Sequence, residues 1–305
     1  MNYKKTLLTL ISALFLFTAF VICKNCFTSM LPNSAMGVQS VISQKHLNTL
    51  FLGSSAYRKG VDMYAVEQEL PGSSFMLTYN GNQPFNMAIE LNEILQSGTS
   101  IDRLVVDFNP SMADRQADLS DKRLIFDISF HGKRRLWKEL AKNEDTTFFT
   151  FYDYFVLSNN DYLFTYPVSY PLISSRYYRG GGTNSDETEG KTEKALMELE
   201  VIEQPGIHAL QLQSIDEIIQ LCKENNISLI FLESPRYIKM AENENYQAKS
   251  DELYSHITKQ DIPVYRTSDL HFDNKNPAFY SDLTHMSKEG KQEFTDCILR
   301  VLRRN

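Results

Sequence analysis

Five strand-length runs that stay apolar on successive residues constrain this chain most: "NTLFLG" (48–53), "SSFMLTY" (73–79), "IDRLVVDF" (101–108), "ISLIFLES" (227–234) and "IPVYRT" (262–267). A strand with one wet face alternates apolar and polar residues, whereas a parallel strand covered on both faces does not need to. Between the runs lie helical periods at 84–97, 207–225, 248–260 and 287–303. In the last of these Phe294, Cys297, Ile298, Val301 and Leu302 form one apolar stripe. Alternating strands and helices predict an α/β fold, a three-layer sandwich around a mainly parallel sheet.

One segment breaks the alternation. Residues 110–205 form a long insertion between the third and fourth strands. Its middle is aromatic-rich at 146–178, "TTFFTFYDYFVLSNNDYLFTYPVSYPLISSRYY". That stretch reads as a small satellite core, a cap over a substrate groove, or a surface near a membrane interface. The following "RGGGTNSDETEGKTEK" (179–194) is Gly-rich and polar and reads as a mobile loop.

The N-terminus stands apart from this core. Lys4 and Lys5 precede "TLLTLISALFLFTAFVIC" (6–23), an uncharged apolar run. A bilayer span needs about 20 apolar residues, within a range of about 17–25, while a secretory h-region has about 7–15 and a small-residue cleavage site. No A-x-A pattern closes the run, and bulky Ile22 before Cys23 fits lipoprotein processing poorly. The reading is an uncleaved signal anchor over residues 1–23, with a cleaved signal peptide as the alternative. A tether follows at 24–46, and the globular domain occupies 47–305. The leading lysines keep the short N-terminus in the cytoplasm, which makes the chain a single-pass protein of the inner (cytoplasmic) membrane with its domain outside, in the periplasm.

The net charge is −7, which argues against nucleic acid as a partner, because phosphate binding needs a basic field. Lys133-Arg134-Arg135 is too short to alter that and reads as a solvated helix face. Cys23, Cys26, Cys222 and Cys297 lack metal-ligand company, so no zinc site is expected; whether Cys222 and Cys297 are bridged stays open.

Two short blocks carry possible chemistry. The first strand ends on Gly53-Ser54-Ser55, which is either a plain turn or a hydroxyl presented at the carboxyl end of a parallel strand. Near the C-terminus, "PAFYSDLTHMSKEGKQEF" (277–294) places Asp282 three residues before His285, just ahead of a helix. At that spacing a carboxylate can reach the imidazole Nδ1, fix the tautomer and leave Nε2 free as a base. Alternatively, Asp282 caps a turn and His285 is a surface histidine. His271, two residues after Asp269, is the rival base; His46, His131, His208 and His256 have no acidic partner at useful spacing.

Together these blocks resemble the SGNH/GDSL hydrolase superfamily over residues 47–109 and 227–303. The resemblance implies a flavodoxin-like sheet, a nucleophile at Ser55 and Asp282–His285 as its acid–base pair. Ser54 replaces the aspartate of the G-D-S-like block. That departure and the wider "FLGSSAYRKGVD" are similar to membrane-anchored relatives that serve alginate O-acetylation and teichoic-acid D-alanylation. The resemblance further implies oxyanion donors at Gly81, in "LTYNGNQPFNMA", and at Asn109, in "VVDFNPSM", although the glycine and aspartate usual around that asparagine are missing.

The expected activity is acyl transfer, chiefly O-acetylation, onto a cell-envelope polysaccharide or glycan. The membrane and a membrane-bound acyl-donor protein are the expected partners, and no cofactor is expected. The alternatives are a carbohydrate or lipid esterase with the same residues, and a non-catalytic glycan-binding scaffold. For the enzyme readings, Ser55 Oγ and His285 Nε2 should lie within about 2.6–3.2 Å.

Overall fold

The computed structural model describes residues 3–30, 37–121, 123–142, 177–182 and 188–304. Its centre is a five-stranded, all-parallel sheet of β1 (His46–Gly53), β2 (Ser74–Thr78), β3 (Ser100–Phe108), β6 (Ser228–Glu233) and β7 (Val264–Tyr265), ordered β2-β1-β3-β6-β7. In-register residues Phe51, Met76, Val105 and Ile230 share one face, and Leu50, Phe75, Leu104 and Leu229 share the other. All are buried, which is why the runs are apolar without alternation.

Among the described residues the α-helices, in chain order, are α1 (Tyr3–Met30), α2 (Val38–Gln44), α3 (Ser55–Gly60), α4 (Met63–Glu69), α5 (Pro84–Gln96), α6 (Arg123–Asp127), α7 (Phe130–Leu140), α8 (Glu193–Met197), α9 (Ala209–Glu224), α10 (Ile238–Ala241), α11 (Glu244–Thr258) and α12 (Lys288–Leu302). Helices α2, α5, α7 and α9 cover one face through Val41, Ile89, Leu136 and Ile218. Helices α3, α4 and α12 cover the other through Tyr57, Val66 and Phe294. Helix α11 serves both layers, with Tyr246 on one side and Leu253 on the other. The result is a doubly wound, three-layer α/β sandwich.

Local chemistry explains the helix starts. Pro84, at the first position of α5, has no N–H to leave unpaired. Ser287 caps α12 by accepting the Gly290 N–H at 3.2 Å, with Glu289 in the first turn and Arg300 in the last, as the helix dipole favours.

Among the described residues one helix, α1, is long and apolar enough to cross a membrane, and none of its Tyr3–Phe20 window is buried. The stretch read as a tether is more structured than its composition implies. Helix α1 continues to Met30, and α2 places Val38 and Val41 at the heart of the core, so core residues precede position 47. Their three-residue spacing puts both on one helix face.

The described parts of the insertion are also tied down. Residues 177–182 form a hairpin, β4 (Tyr177–Tyr178) and β5 (Gly181–Gly182), and the Arg179 carbonyl accepts the Met76 N–H of edge strand β2 at 2.8 Å. Beyond it the Lys191 N–H donates to the Tyr280 carbonyl at 2.8 Å, and the Lys288 N–H to the Thr188 carbonyl at 2.9 Å. These fastenings fall within the polar segment read as a mobile loop. The aromatic stretch lies outside the described residues up to position 176. A fully buried ammonium, Lys249 of α11, staples the insertion at both ends, lying 2.6 Å from Asp114 and 2.5 Å from Glu203. Cys222 and Cys297 are free and belong to core layers on opposite sides of the sheet, so they do not pair.

Candidate active site

In an open α/β sheet, ligands bind beyond the carboxyl ends of the strands, where the strand order reverses. Here the connections leaving β1 and β3 diverge at that place. Strand β1 ends at Gly53; Ser54 is extended, at φ −102°, and caps α3; Ser55 is the first residue of that helix. The Ser54 hydroxyl oxygen accepts the Ala56 N–H at 3.3 Å, so the turn is held by its own side chain.

The 281–285 loop comes from the far end of the chain. It is closed by the Ser281 N–H donating to the His285 carbonyl at 2.9 Å, beside a bridge between Tyr280 and Met286. Within it one Asp282 oxygen accepts the N–H groups of Thr284 and His285, each at 2.8 Å, and the Thr284 hydroxyl at 3.0 Å. The other oxygen is left for His285 Nδ1, at 2.8 Å. His285 Nε2 then lies 2.8 Å from Ser55 Oγ.

The carboxylate next to Nδ1 makes that nitrogen the protonated one, so Nε2 presents its lone pair to the serine hydroxyl. Burial works to raise the Asp282 pKa, but the hydrogen bond and charge of His285, with the two backbone N–H groups, outweigh it. The carboxyl is held well below the usual carboxylate range. It therefore stays ionised and can stabilise an imidazolium.

The other expected residues stand around this chain of contacts. Gly81 occupies the turn after β2 at φ +58°, a left-handed conformation that suits glycine, and an added Cβ would lie 2.7 Å from Ser120 Oγ. Its neighbour Asn82 donates to the Gly53 carbonyl at 3.1 Å, which ties this turn to the Gly53–Ser55 turn. Among the described residues no acceptor takes the N–H of Ser55 or of Gly81. Asn109 is buried and its amide reaches Ser54 Oγ at 3.4 Å, so it contacts the residue beside Ser55 and not Ser55 itself.

His271 is exposed in a separate turn at φ +54°; the imidazole that meets Ser55 is that of His285. His256 and His46 do have acidic neighbours, Asp216 at 2.7 Å and Asp102 at 3.6 Å, contributed by other elements and invisible in local spacing.

Sequence reasoning missed a buried polar layer beneath the site. Asp107, at the end of β3, takes the Ser54 hydroxyl at 2.8 Å on one oxygen and the Ser234 hydroxyl at 2.6 Å on the other. Arg236 is buried nearby and donates to the Thr284 carbonyl at 2.8 Å. The available signal was "ESPR" (233–236), a cluster of polar residues directly after a buried parallel strand.

Chemically, the arrangement offers a hydroxyl with a base in contact, an oriented base, and free N–H groups at the two turns beside it. Those are the parts needed to attack a carbonyl carbon and to hold the resulting oxyanion.

No family model matches this chain, and no curated protein matches it either. Solved structures with a similar trace include a GDSL-like lipase from Bacteroides thetaiotaomicron VPI-5482, at 11% identity and a TM-score of 0.41, covering 86% of this chain and 89% of that one. A candidate acylhydrolase from Bacteroides fragilis NCTC 9343 is similar at 11% identity and a TM-score of 0.40, covering 91% of this chain and 92% of that one. Likeness at this level carries nothing about the chemistry of the chain, which rests on its own residues.

Proposed function

We propose that the chain is a serine acyl enzyme that forms an acyl ester on Ser55 and delivers it, as an O-acetyl group, to a hydroxyl of a cell-envelope glycan. The observation that carries the reading is the unbroken contact chain Ser55–His285–Asp282, with 2.8 Å at each link. In the first half-reaction Ser55 Oγ attacks the ester carbonyl carbon while His285 Nε2 takes its proton. The N–H groups of Ser55 and Gly81, with the Asn109 amide, receive the oxyanion. The tetrahedral adduct then breaks its bond to the leaving alcohol, which departs with the proton from His285. In the second half an acceptor hydroxyl repeats these steps in reverse order.

The membrane side of the proposal rests on α1. In this reading its apolar length and the lysines of its first turn, Lys4 and Lys5, support a single-pass anchor that keeps the domain against the outer face of the cytoplasmic membrane. There the domain would meet a glycan acceptor and a membrane-bound acyl-donor protein.

A second reading, an esterase that passes the same acyl group to water, is favoured by the openness of the site. The His285 side chain is 24% exposed and that of Asp282 39%, so solvent has access to the base.

The test uses the full chain in detergent with p-nitrophenyl acetate. Acetyl-Ser55 in the intact mass, absent from Ser55→Ala, supports the acyl enzyme. Acetate appearing on an added oligosaccharide supports transfer, and release into water alone supports the esterase. Turnover that survives in Ser55→Ala at the wild-type rate removes both readings.

A further inference from the structure

The two halves of the candidate site come from opposite ends of the chain, so something must set the gap between them. The four residues after β6, Ser234-Pro235-Arg236-Tyr237, touch both halves. On one side Ser234 donates to Asp107 Oδ1 at 2.6 Å, and Asp107 Oδ2 accepts the Ser54 hydroxyl at 2.8 Å and the Ser54 N–H at 3.4 Å. The fit there is close: a Cβ at Gly53 would lie 2.7 Å from the Asp107 Cβ. On the other side Arg236 Nη1 donates to the Thr284 carbonyl at 2.8 Å, and the Tyr237 N–H donates to the Leu283 carbonyl at 3.1 Å. Thr284 is the residue whose N–H and hydroxyl hold Asp282.

Arg236 is 2% exposed, and a buried cation with no role would be costly. Burial alone would lower its pKa, but Tyr246, Asp107 and Glu233 offset that, and the guanidinium stays charged. Glu233 is itself fixed, accepting the Tyr246 hydroxyl at 2.8 Å and the Thr267 N–H at 2.7 Å. The charge is therefore held among Tyr246, Asp107 and Glu233, and one arm of it, Nη1, meets a carbonyl of the 281–285 loop.

We infer that Arg236 is a positioning residue for the acyl chemistry: it pins the 282–285 loop at Thr284, while the same four-residue segment, through Ser234 and Asp107, pins the nucleophile turn. The gap between Ser55 Oγ and His285 Nε2 is thus set from the exit of β6. This inference rests on the acyl-enzyme reading. It adds a residue that touches neither substrate nor the reacting atoms.

The experiment compares wild type with Arg236→Met, Arg236→Lys and the charge-balanced Arg236→Met/Glu233→Gln. The second pair keeps the question open to test if the uncompensated single variant does not fold. Three quantities are read: kcat and KM for p-nitrophenyl acetate, the unfolding midpoint, and the downfield proton resonance of His285 Nδ1–H against Asp282. A misplacement of about 1 Å can cost on the order of 10²-fold. In a folded Met variant kcat should accordingly fall at least about tenfold with KM within about twofold, and the downfield resonance should broaden or vanish. Arg236→Lys should recover part of kcat and of the resonance.

Wild-type kcat and an intact resonance in a folded Arg236→Met, alone or with Glu233→Gln, would overturn the inference. So would a loss of kcat that follows the unfolding midpoint and shows no recovery in Lys. If wild type and Ser55→Ala turn over equally, the acyl-enzyme reading is what has failed, and the resonance alone then decides whether Arg236 holds the loop.

Discussion

Ser55 Oγ and His285 Nε2 are 2.8 Å apart, although 230 residues separate them in the chain. Groups in such contact act as a unit, so their removal is strongly non-additive. Ser55→Ala and His285→Ala are each expected to lower kcat/KM on p-nitrophenyl acetate by at least about 10³-fold, and the double variant hardly further. Steady-state rates of the three variants check this. Losses that multiply would show that the two residues do not share one step.

Asp282→Asn should cost less than either of those. Asparagine still accepts the Thr284 and His285 N–H groups now held at 2.8 Å, but it no longer fixes the protonated Nδ1. The expected loss is on the order of 10²-fold, below that of either alanine variant, with the unfolding midpoint little changed. His271→Ala, at an exposed turn, should leave kcat within about twofold in the same assay.

Lys249 carries the sharpest stability prediction. Its ammonium is wholly buried between Asp114 and Glu203. Removing one partner of a buried ion pair strands the remaining charge, at a cost of about 3–5 kcal/mol. Lys249→Met should show a loss of that size in urea unfolding. Adding Asp114→Asn and Glu203→Gln should restore most of it, since no buried charge is then left without a partner.

Asp127 sets a pH dependence outside the candidate site. Tyr79 donates to its carboxylate at 2.5 Å, yet desolvation dominates and the carboxyl is pushed up to about 7. In the unfolded chain an aspartate titrates near about 3.9. Between these values the folded state holds a proton that the unfolded state has released, so stability falls as pH rises and levels off above about 7. Asp127→Asn mimics the protonated form at every pH. Its unfolding free energy should therefore gain on wild type from pH 4 to 7, in urea titrations at each pH. A constant difference across that range would refute the assignment.

The parts legible in sequence were those set by local physics. Runs such as "DRLVVDF" declare strands covered on both faces, because burial of successive residues is written in their own side chains. Pro84 and Ser287 announce helix starts for the same local reason, and Asp282 and His285 lie close enough in sequence to share one turn. Periodicity tells whether a residue is buried, not what it meets. That Ser55 faces His285, that Ser54 leans on Asp107, that Asp216 serves His256 and that Cys222 and Cys297 are parted by the sheet all follow from strand order and helix packing. Polar residues made the difference most plainly. A buried hydroxyl, carboxylate or guanidinium must find a partner, and only the adjacency of β1, β3 and β6 decided that Asp107 and Arg236 would find theirs at the two halves of the candidate site.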